Sequence, residues 1–326
     1  MLQQTQVDTV IDYYNRFLAT FPTVHDLANA DEQQVLKLWE GLGYYSRARN
    51  LHKTAKIVSQ ELDGHFPTTY EALQKLPGLG PYTAAAVVSI GFGVPVPVVD
   101  GNVLRVFTRF WGIEKDIRQP RVRTQLFNCL TPAVEKHDPS TFNQAMMELG
   151  ALICTPKSPD CTQCAIQSTC IAKRDNKVDK LPIKSKAKPV PHYHIGVGVI
   201  LHNEKVLIGK RKTDQMLGGL WEFPGGKQEK GETIETTIQR EIKEETTLNV
   251  TVNDSITTVK HAYSHFKITL HAYWCTLESG QASPKSAEEL RWVSLETLSD
   301  YPFPKANKKV LECITILKGF PLAHPA

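Results

Sequence analysis

The stretch Cys154-Thr155-Pro156-Lys157-Ser158-Pro159-Asp160-Cys161-Thr162-Gln163-Cys164-Ala165-Ile166-Gln167-Ser168-Thr169-Cys170 holds four of the chain's seven cysteines, spaced C-x6-C-x2-C-x5-C. Four thiolates within 17 residues can wrap one metal centre, an iron–sulfur cluster or a structural zinc. The uneven spacing departs from the paired CxxC…CxxC of a zinc ribbon. The competing reading is two disulfides in a secreted domain. Against it, no apolar signal segment precedes the quartet. Cys129, Cys275 and Cys313 also remain as an odd set, suited to small buried apolar positions.

Working outward, 326 residues are enough for two domains. The apolar fraction of 41% and charged fraction of 22% are those of an ordinary globular protein. No stretch approaches the roughly 20 apolar residues that span a bilayer, so no membrane role is expected. The formal charge of +4 is concentrated: Lys173, Arg174, Lys177, Lys180, Lys184, Lys186 and Lys188 face only Asp175 and Asp179, a local +5. Such a run suits a phosphate backbone through counterion release, and equally a solvated linker.

Upstream of this run the texture is helical, with apolar residues recurring at Val35-Leu36-Leu38-Trp39 and Ala84-Val87-Val88. Downstream, His194–Ile200 and Lys205–Ile208 read as strands joined by an Asn203-Glu204 turn. Pro182, Pro189 and Pro191 oppose a continuous helix or central strand between the two regions. The division expected is 1–172 helical, 173–191 linker and 192–326 mixed α and β.

Within the helical part, Leu76-Pro77-Gly78-Leu79-Gly80-Pro81-Tyr82-Thr83 offers two glycines for a tight positive-φ turn that opens a helix over Thr83–Ile90. Backbone N–H groups at such a helix start suit an anion. Asp100-Gly101-Asn102-Val103 follows a Gly/Pro-rich stretch, and its residue types also suit a helix N-cap. The LPGxG turn, the aspartate and the cysteine loop, in this order, resemble the helix-hairpin-helix DNA glycosylases. The resemblance implies a mainly α glycosylase domain whose loop, 154–170, holds a 4Fe–4S cluster on Cys154, Cys161, Cys164 and Cys170. It implies phosphate contacts at Gly78 and Gly80, and catalytic roles for Asp100, Tyr82 and Asn102. A carboxylate suits that chemistry, because breaking an N-glycosidic bond builds positive charge on the sugar. Endonuclease III-like relatives carry a Schiff-base lysine where this chain has Tyr82. A phenol cannot do that, so the expectation is a monofunctional base remover.

Met1-Leu2-Gln3-Gln4-Thr5-Gln6-Val7, Gly41-Leu42-Gly43-Tyr44-Tyr45-Ser46-Arg47 and Phe142-Asn143-Gln144-Ala145-Met146-Met147-Glu148-Leu149-Gly150 are similar to segments of MutY-type adenine DNA glycosylases. That family removes adenine mispaired with 8-oxoguanine. The resemblance implies a duplex carrying an A:8-oxoguanine or A:G mispair as partner, contacted by Gln4, Leu42 and Tyr44. Gln4 and Tyr44 would wedge into the base stack as adenine flips out; core packing for Tyr44 and a solvated helix start for Gln4 are the alternatives. The family motif reads Glu-Val-Met-Leu-Gln-Gln-Thr, and its glutamate, the general acid, would lie two positions before Met1. The expectation is therefore DNA recognition with slow excision; Asp8 lies about two helical turns away from that position.

Gly226-x5-Glu232-x7-Arg240-Glu241-Ile242-x-Glu244-Glu245-x-Thr247-Leu248 follows the Nudix pattern, except that threonine replaces the last glycine. Ile234, Ile238 and Ile242 form a core stripe on the helix. Glu241, Glu244 and Glu245 share another face, where carboxylates can hold Mg²⁺ against a diphosphate, with Arg240 orienting them. MutY enzymes carry such a MutT-like α+β domain to read 8-oxoguanine. His261-Ala262-Tyr263-Ser264-His265-Phe266 is similar to their Phe-Ser-His reader loop, which assigns Tyr263, Ser264 and His265 to DNA. A non-catalytic mispair binder, and an added Nudix hydrolase activity on 8-oxo-dGTP, stand as alternatives. A monomer in a bacterial cytoplasm, associated with the nucleoid, is the expected setting.

Overall fold

The computed structural model describes residues 1–3, 5–185 and 189–317. Contacts divide the chain into two compact units: residues 1–59 together with the chain from Pro189 onward, and residues 60–188. Gln4, Lys186 and Lys188 lie outside the described residues.

The first unit opens with α1 (Val7–Thr20), α2 (Val24–Asn29), α3 (Glu32–Leu38) and α4 (Ser46–Glu61), whose last turn passes into the second unit. A capping box starts α2. The Thr23 hydroxyl accepts from Asp26 N–H at 3.2 Å, and the Asp26 carboxylate accepts from Thr23 N–H at 2.9 Å. Val35, Leu36 and Trp39 are buried as their spacing predicts, against Phe17, Phe21 and Ala48. Leu220, from the far end of the chain, belongs to the same core.

The second unit comprises α5 (Tyr70–Leu73), α6 (Pro81–Ala86), α7 (Gly101–Phe110), α8 (Pro120–Val134), α9 (Pro139–Glu148) and α10 (Ile171–Arg174). The helix expected at Thr83 begins two residues earlier, because Pro81 is preorganised for a first helical position. It widens into a π-helical turn over Val87–Gly91, and a second π-helical turn, Leu149–Ile153, extends α9 to Cys154. Val103, Val106 and Phe107 of α7 pack on Val122, Leu126 and Leu130 of α8.

From Pro189 the chain returns to the first unit with β1 (His192–His202), β2 (Lys205–Lys210), β3 (Trp221–Glu222), β4 (Gly225–Lys227), α11 (Ile234–Thr246), β5 (Asn249–Ala262), β6 (Lys267–Ser279), β7 (Glu289–Ser294) and α12 (Lys305–Leu317). The strands run β3-β2-β1-β6-β5, with β4 added to β1 and β7 to β2; β1 and β6 are parallel. The expected hairpin is present. Asn203 and Glu204 take φ of 49° and 60°, and His202 pairs with Lys205. A Cβ at Gly198 would lie 2.5 Å from Ile242 Cδ1, so glycine lets the isoleucine stripe of α11 seat on β1. Val310 and Ile314 of α12 join a second core with Val199, Val206 and Phe303. No helix among the described residues is long and apolar enough to cross a membrane.

Candidate active site

In the helical unit, the turn between α5 and α6 uses its glycines differently from one another. Gly78 takes φ of +79°, which favours glycine. Gly80 does not: it is the extended N-cap of α6 at φ −69°, and nothing lies within 4 Å of where a Cβ would stand. The expectation of positive φ is met at Gly78 alone, while Gly80 leaves open space beside the first turn.

The segment before Asp100 is held by a buried amide. Asn143, 2% exposed, donates from Nδ2 to Val96 O at 3.0 Å and accepts on Oδ1 from Val98 N–H at 2.8 Å. Arg123 donates to Val99 O. Thus fixed, Asp100 heads α7, its Oδ1 accepting from Val103 N–H at 2.6 Å. The capping role is therefore present, and it orients the carboxylate rather than competing with other uses. Burial raises the Tyr82 phenol above its ordinary value, and the charge of Asp100 raises it further. Tyr82 is thus a neutral hydroxyl within electrostatic reach of the carboxylate.

Asn102, Arg105 and Arg109 follow one another along α7 toward the cysteine loop. Arg105 donates from Nη2 to Asn102 Oδ1 at 2.9 Å and to Gly150 O at 2.5 Å, and from Nε to Cys154 O at 2.7 Å. A Cβ at Gly150 would stand 2.6 Å from Asn102 Cβ, so the second π-helical turn can approach α7 only with glycine there. Arg109 is buried, yet donates to Cys154 Sγ at 3.3 Å, Thr155 O at 2.8 Å and Leu181 O at 2.9 Å. Arg105, Arg109 and Arg123 stand in none of the motifs above, and the sequence alone gives Asn143 no role. Arginines at i+3 and i+7 from Asn102, inside an otherwise apolar helix, were the available signal.

Cys154, Cys161, Cys164 and Cys170 line one pocket, together with Val106, Ile153 and Ile166. Burial raises the Cys161 thiol, and the other three thiols raise it further, as expected when four sulfurs face a common space. None is in a disulfide. Among the described residues, no three His, Cys, Asp or Glu side chains are grouped to hold a single metal ion.

In the first unit, the turn after α3 is left-handed at Gly41, Gly43 and Tyr44, with φ of 96°, 78° and 49°. It is laced by Trp39 Nε1–H donating to Gly43 O at 3.1 Å and Gly41 N–H donating to Tyr45 Oη at 3.1 Å. Leu42 is buried in the core, whereas the Tyr44 ring is 45% exposed beneath the Arg47 guanidinium, 5.3 Å from the ring centre. The Tyr44 and Ser264 hydroxyls are 2.8 Å apart. Ser264 and His265 form the exposed tip between β5 and β6, closed by Tyr263 N–H donating to Phe266 O at 2.8 Å. Tyr263 packs inward on Phe266 and His261. Burial pushes its phenol up to about 12, with Glu222 adding to the rise. Gln4 lies outside the described residues.

The Nudix helix keeps its expected brace. Arg240 reaches Glu232 at 2.6 Å, Glu241 at 3.0 Å and Glu244 at 3.3 Å, holding the Glu232 carboxyl down at about 2. Glu245 instead turns inward, accepting from Gly225 N–H at 3.1 Å and Ser286 Oγ–H at 2.8 Å; burial pushes it up to about 7. Glu241 lies against Gly226, where a Cβ would meet its carboxylate at 2.3–2.4 Å. The disturbance expected from Thr247 is local. Thr247 retains the left-handed cap at φ 67°, its hydroxyl donating to Gln281 O at 2.6 Å.

A hairpin, an aspartate-headed helix and a cysteine loop on one helical scaffold, in a chain that also carries a Nudix sheet, define a base-excision DNA glycosylase with a Nudix domain. Comparison with known proteins agrees. Residues 1–132 match the model for the HhH-GPD superfamily of base excision DNA repair proteins, and 196–313 match that for the NUDIX domain. The chain is 35% identical to human adenine DNA glycosylase, covering 95% of this chain and 66% of that protein. It is 33% identical to the adenine DNA glycosylase of Buchnera aphidicola subsp. Schizaphis graminum, covering 96% and 88%. A solved thermostable thymine-DNA glycosylase is 26% identical over 53% of this chain and 80% of its own, with a TM-score of 0.49. The chain belongs to the adenine DNA glycosylase family of base-excision repair.

Proposed function

We propose that the chain hydrolyses the N-glycosidic bond of adenine opposite 8-oxoguanine, and less readily opposite guanine, in duplex DNA. The observation that carries this reading is the carboxylate of Asp100, anchored at one oxygen by its own helix. Its negative charge would stabilise the oxocarbenium-like sugar, and anchoring before the reaction avoids reorganisation during it. Tyr82, a neutral phenol at the hairpin, has no amine with which to form a Schiff base, so the reaction stops at base removal. Tyr44, Ser264 and His265 supply the reading of the opposite base. The test is release of adenine from duplexes carrying A opposite 8-oxoguanine, G, C or T, with borohydride trapping in parallel. Preferential release opposite 8-oxoguanine and no trapped adduct are expected; equal release from A:T, or an efficient adduct, would contradict the reading.

The four cysteines that line one pocket support a 4Fe–4S cluster, since thiolates at that spacing suit such a centre. Cys154, Cys161, Cys164 and Cys170 would hold the cluster, whose contribution would be to fix the loop beside α7. At the Nudix helix, Glu241, Glu244 and Glu245 are the residues that would hold Mg²⁺; Glu241 and Glu244 pair with Arg240, and Glu245 turns inward to accept from Gly225 N–H.

A further inference from the structure

The family models treat the chain's two ends as separate domains, yet residues 1–59 and the Nudix sheet share a core and a chain of polar contacts. Gln33 of α3 bridges two points of the loop leading into β3. Its Nε2 donates to Gly219 O at 3.0 Å, and its Oε1 accepts from Trp221 Nε1–H at 2.8 Å. Arg49 of α4 donates to Gly218 O. Leu220 between them is fully buried among the N-terminal helices. Gly218 and Gly219 cannot be exchanged cheaply there: a Cβ on Gly218 would meet Lys212 O at 2.5 Å, and Gly219 takes φ of +79°.

The clamped loop continues directly to the reader. Arg211 N–H donates to Leu220 O at 2.9 Å, and the Arg211 guanidinium holds both oxygens of Glu222 at 2.7 Å. Trp221 and Phe223, which follow the loop, belong to the core against which Tyr263 and Phe266 pack, and Tyr263 roots the exposed Ser264–His265 tip. Ser264 meets the Tyr44 hydroxyl, and Tyr44 returns through its left-handed turn to Trp39 and α3. Glu40 closes the ring from another side: its carboxylate accepts from Phe303 N–H at 2.9 Å and pairs with Lys308 at 3.1 Å. Every link lies inside one compact unit.

We infer that Gln33, with Arg49 as its second anchor, is a positioning residue for lesion reading: by fixing the 218–222 loop it holds the Ser264 tip against Tyr44, so that wedge and reader meet the duplex as one preassembled element. The inference rests on the reading of 8-oxoguanine by Ser264 proposed above. A glutamine suits the task because one amide can satisfy an indole donor and a carbonyl acceptor together. Preassembly matters because ordering the tip on DNA would otherwise be subtracted from affinity.

The test is equilibrium binding of the full chain, by fluorescence anisotropy, to duplexes carrying A:8-oxoguanine, A:G or no mispair. The proteins are wild type, Q33M, S264A and Q33M/S264A, with R49K replacing Q33M should that variant fail to fold. Losing a half-buried, doubly hydrogen-bonded anchor is expected to cut the preference for A:8-oxoguanine over A:G about fivefold in Q33M. Affinity for the undamaged duplex should stay unchanged. Amide exchange at 263–266 should quicken, and the double variant should be no worse than the weaker single. If S264A loses the preference while Q33M keeps it, or the two losses simply add, the positioning role is overturned and the reading survives. If S264A also keeps the preference, the reading fails and takes this inference with it.

Discussion

Around Asp100, side chains are tied into backbone: Asn143 to Val96 and Val98, Arg123 to Val99, Arg105 to Gly150 and Cys154, and the aspartate to its own helix start. Around the Nudix helix, a motif complete but for its last glycine is tied largely into itself. Arg240 takes up Glu232, Glu241 and Glu244, and Glu245 folds inward onto Gly225 and Ser286. In the first region the polar network fixes one carboxylate at the head of a helix. In the second the same kinds of residue brace a helix against a sheet. Signature residues at signature spacing therefore establish a fold in both regions, while the partners that hold their carboxylates differ.

Five substitutions would break or sharpen this contrast. The largest effect is expected from Asn143→Leu, which orphans Val98 N–H and Val96 O and should destabilise the helical unit by about 3 kcal/mol in chemical denaturation. Next, Gly150→Ala forces a methyl into Asn102 and should cost about 2 kcal/mol. A melting profile unchanged by either would mean that the Asp100 segment is not held as described.

In the Nudix helix the electrostatics make opposite demands. Glu245, raised to about 7 from an ordinary 4.5, ionises more easily in the unfolded chain. Its presence lowers stability as pH rises from 4.5 to 7, and the loss persists above that window. Glu245→Gln should therefore stabilise the protein by on the order of 1 kcal/mol at pH 8 and not at pH 4, read from paired melts. Glu232, lowered to about 2 by Arg240, works the other way, contributing stability above 4.5 that is lost as pH falls toward 2; Arg240→Gln should flatten that acid limb. The smallest effect is expected at the helix end. Thr247→Gly removes a β-branched residue from left-handed backbone at the expense of the hydroxyl's contacts with Thr246 O and Gln281 O, for a gain of about 0.5 kcal/mol in denaturant titration.

Much of the architecture was legible from local pattern. The isoleucine stripe of α11, the Asn203-Glu204 turn and the burial of Val35, Leu36 and Trp39 all follow from periodicity or turn chemistry. Missing from the pattern was whatever depends on distant partners. Gly80 looks like Gly78 in sequence but differs in backbone, since only one of them carries the turn. Leu42 lies beside Tyr44, yet the left-handed turn buries the one and exposes the other. Glu244 and Glu245 are neighbours whose surroundings, an arginine and a buried backbone amide, lie on different elements. That Leu220 would complete the core of the first helices could not be read from 180 residues away, because sequence periodicity reports which residues are buried and not against what.

The most direct test is the rate of adenine release from an A:8-oxoguanine duplex, under single turnover with enzyme in excess, by the wild type and by Asp100→Asn. The substitution retains an oxygen to cap α7 but removes the charge. Release should fall about 10²- to 10³-fold while mispair affinity stays near that of the wild type; an undiminished rate would show that the aspartate only caps its helix.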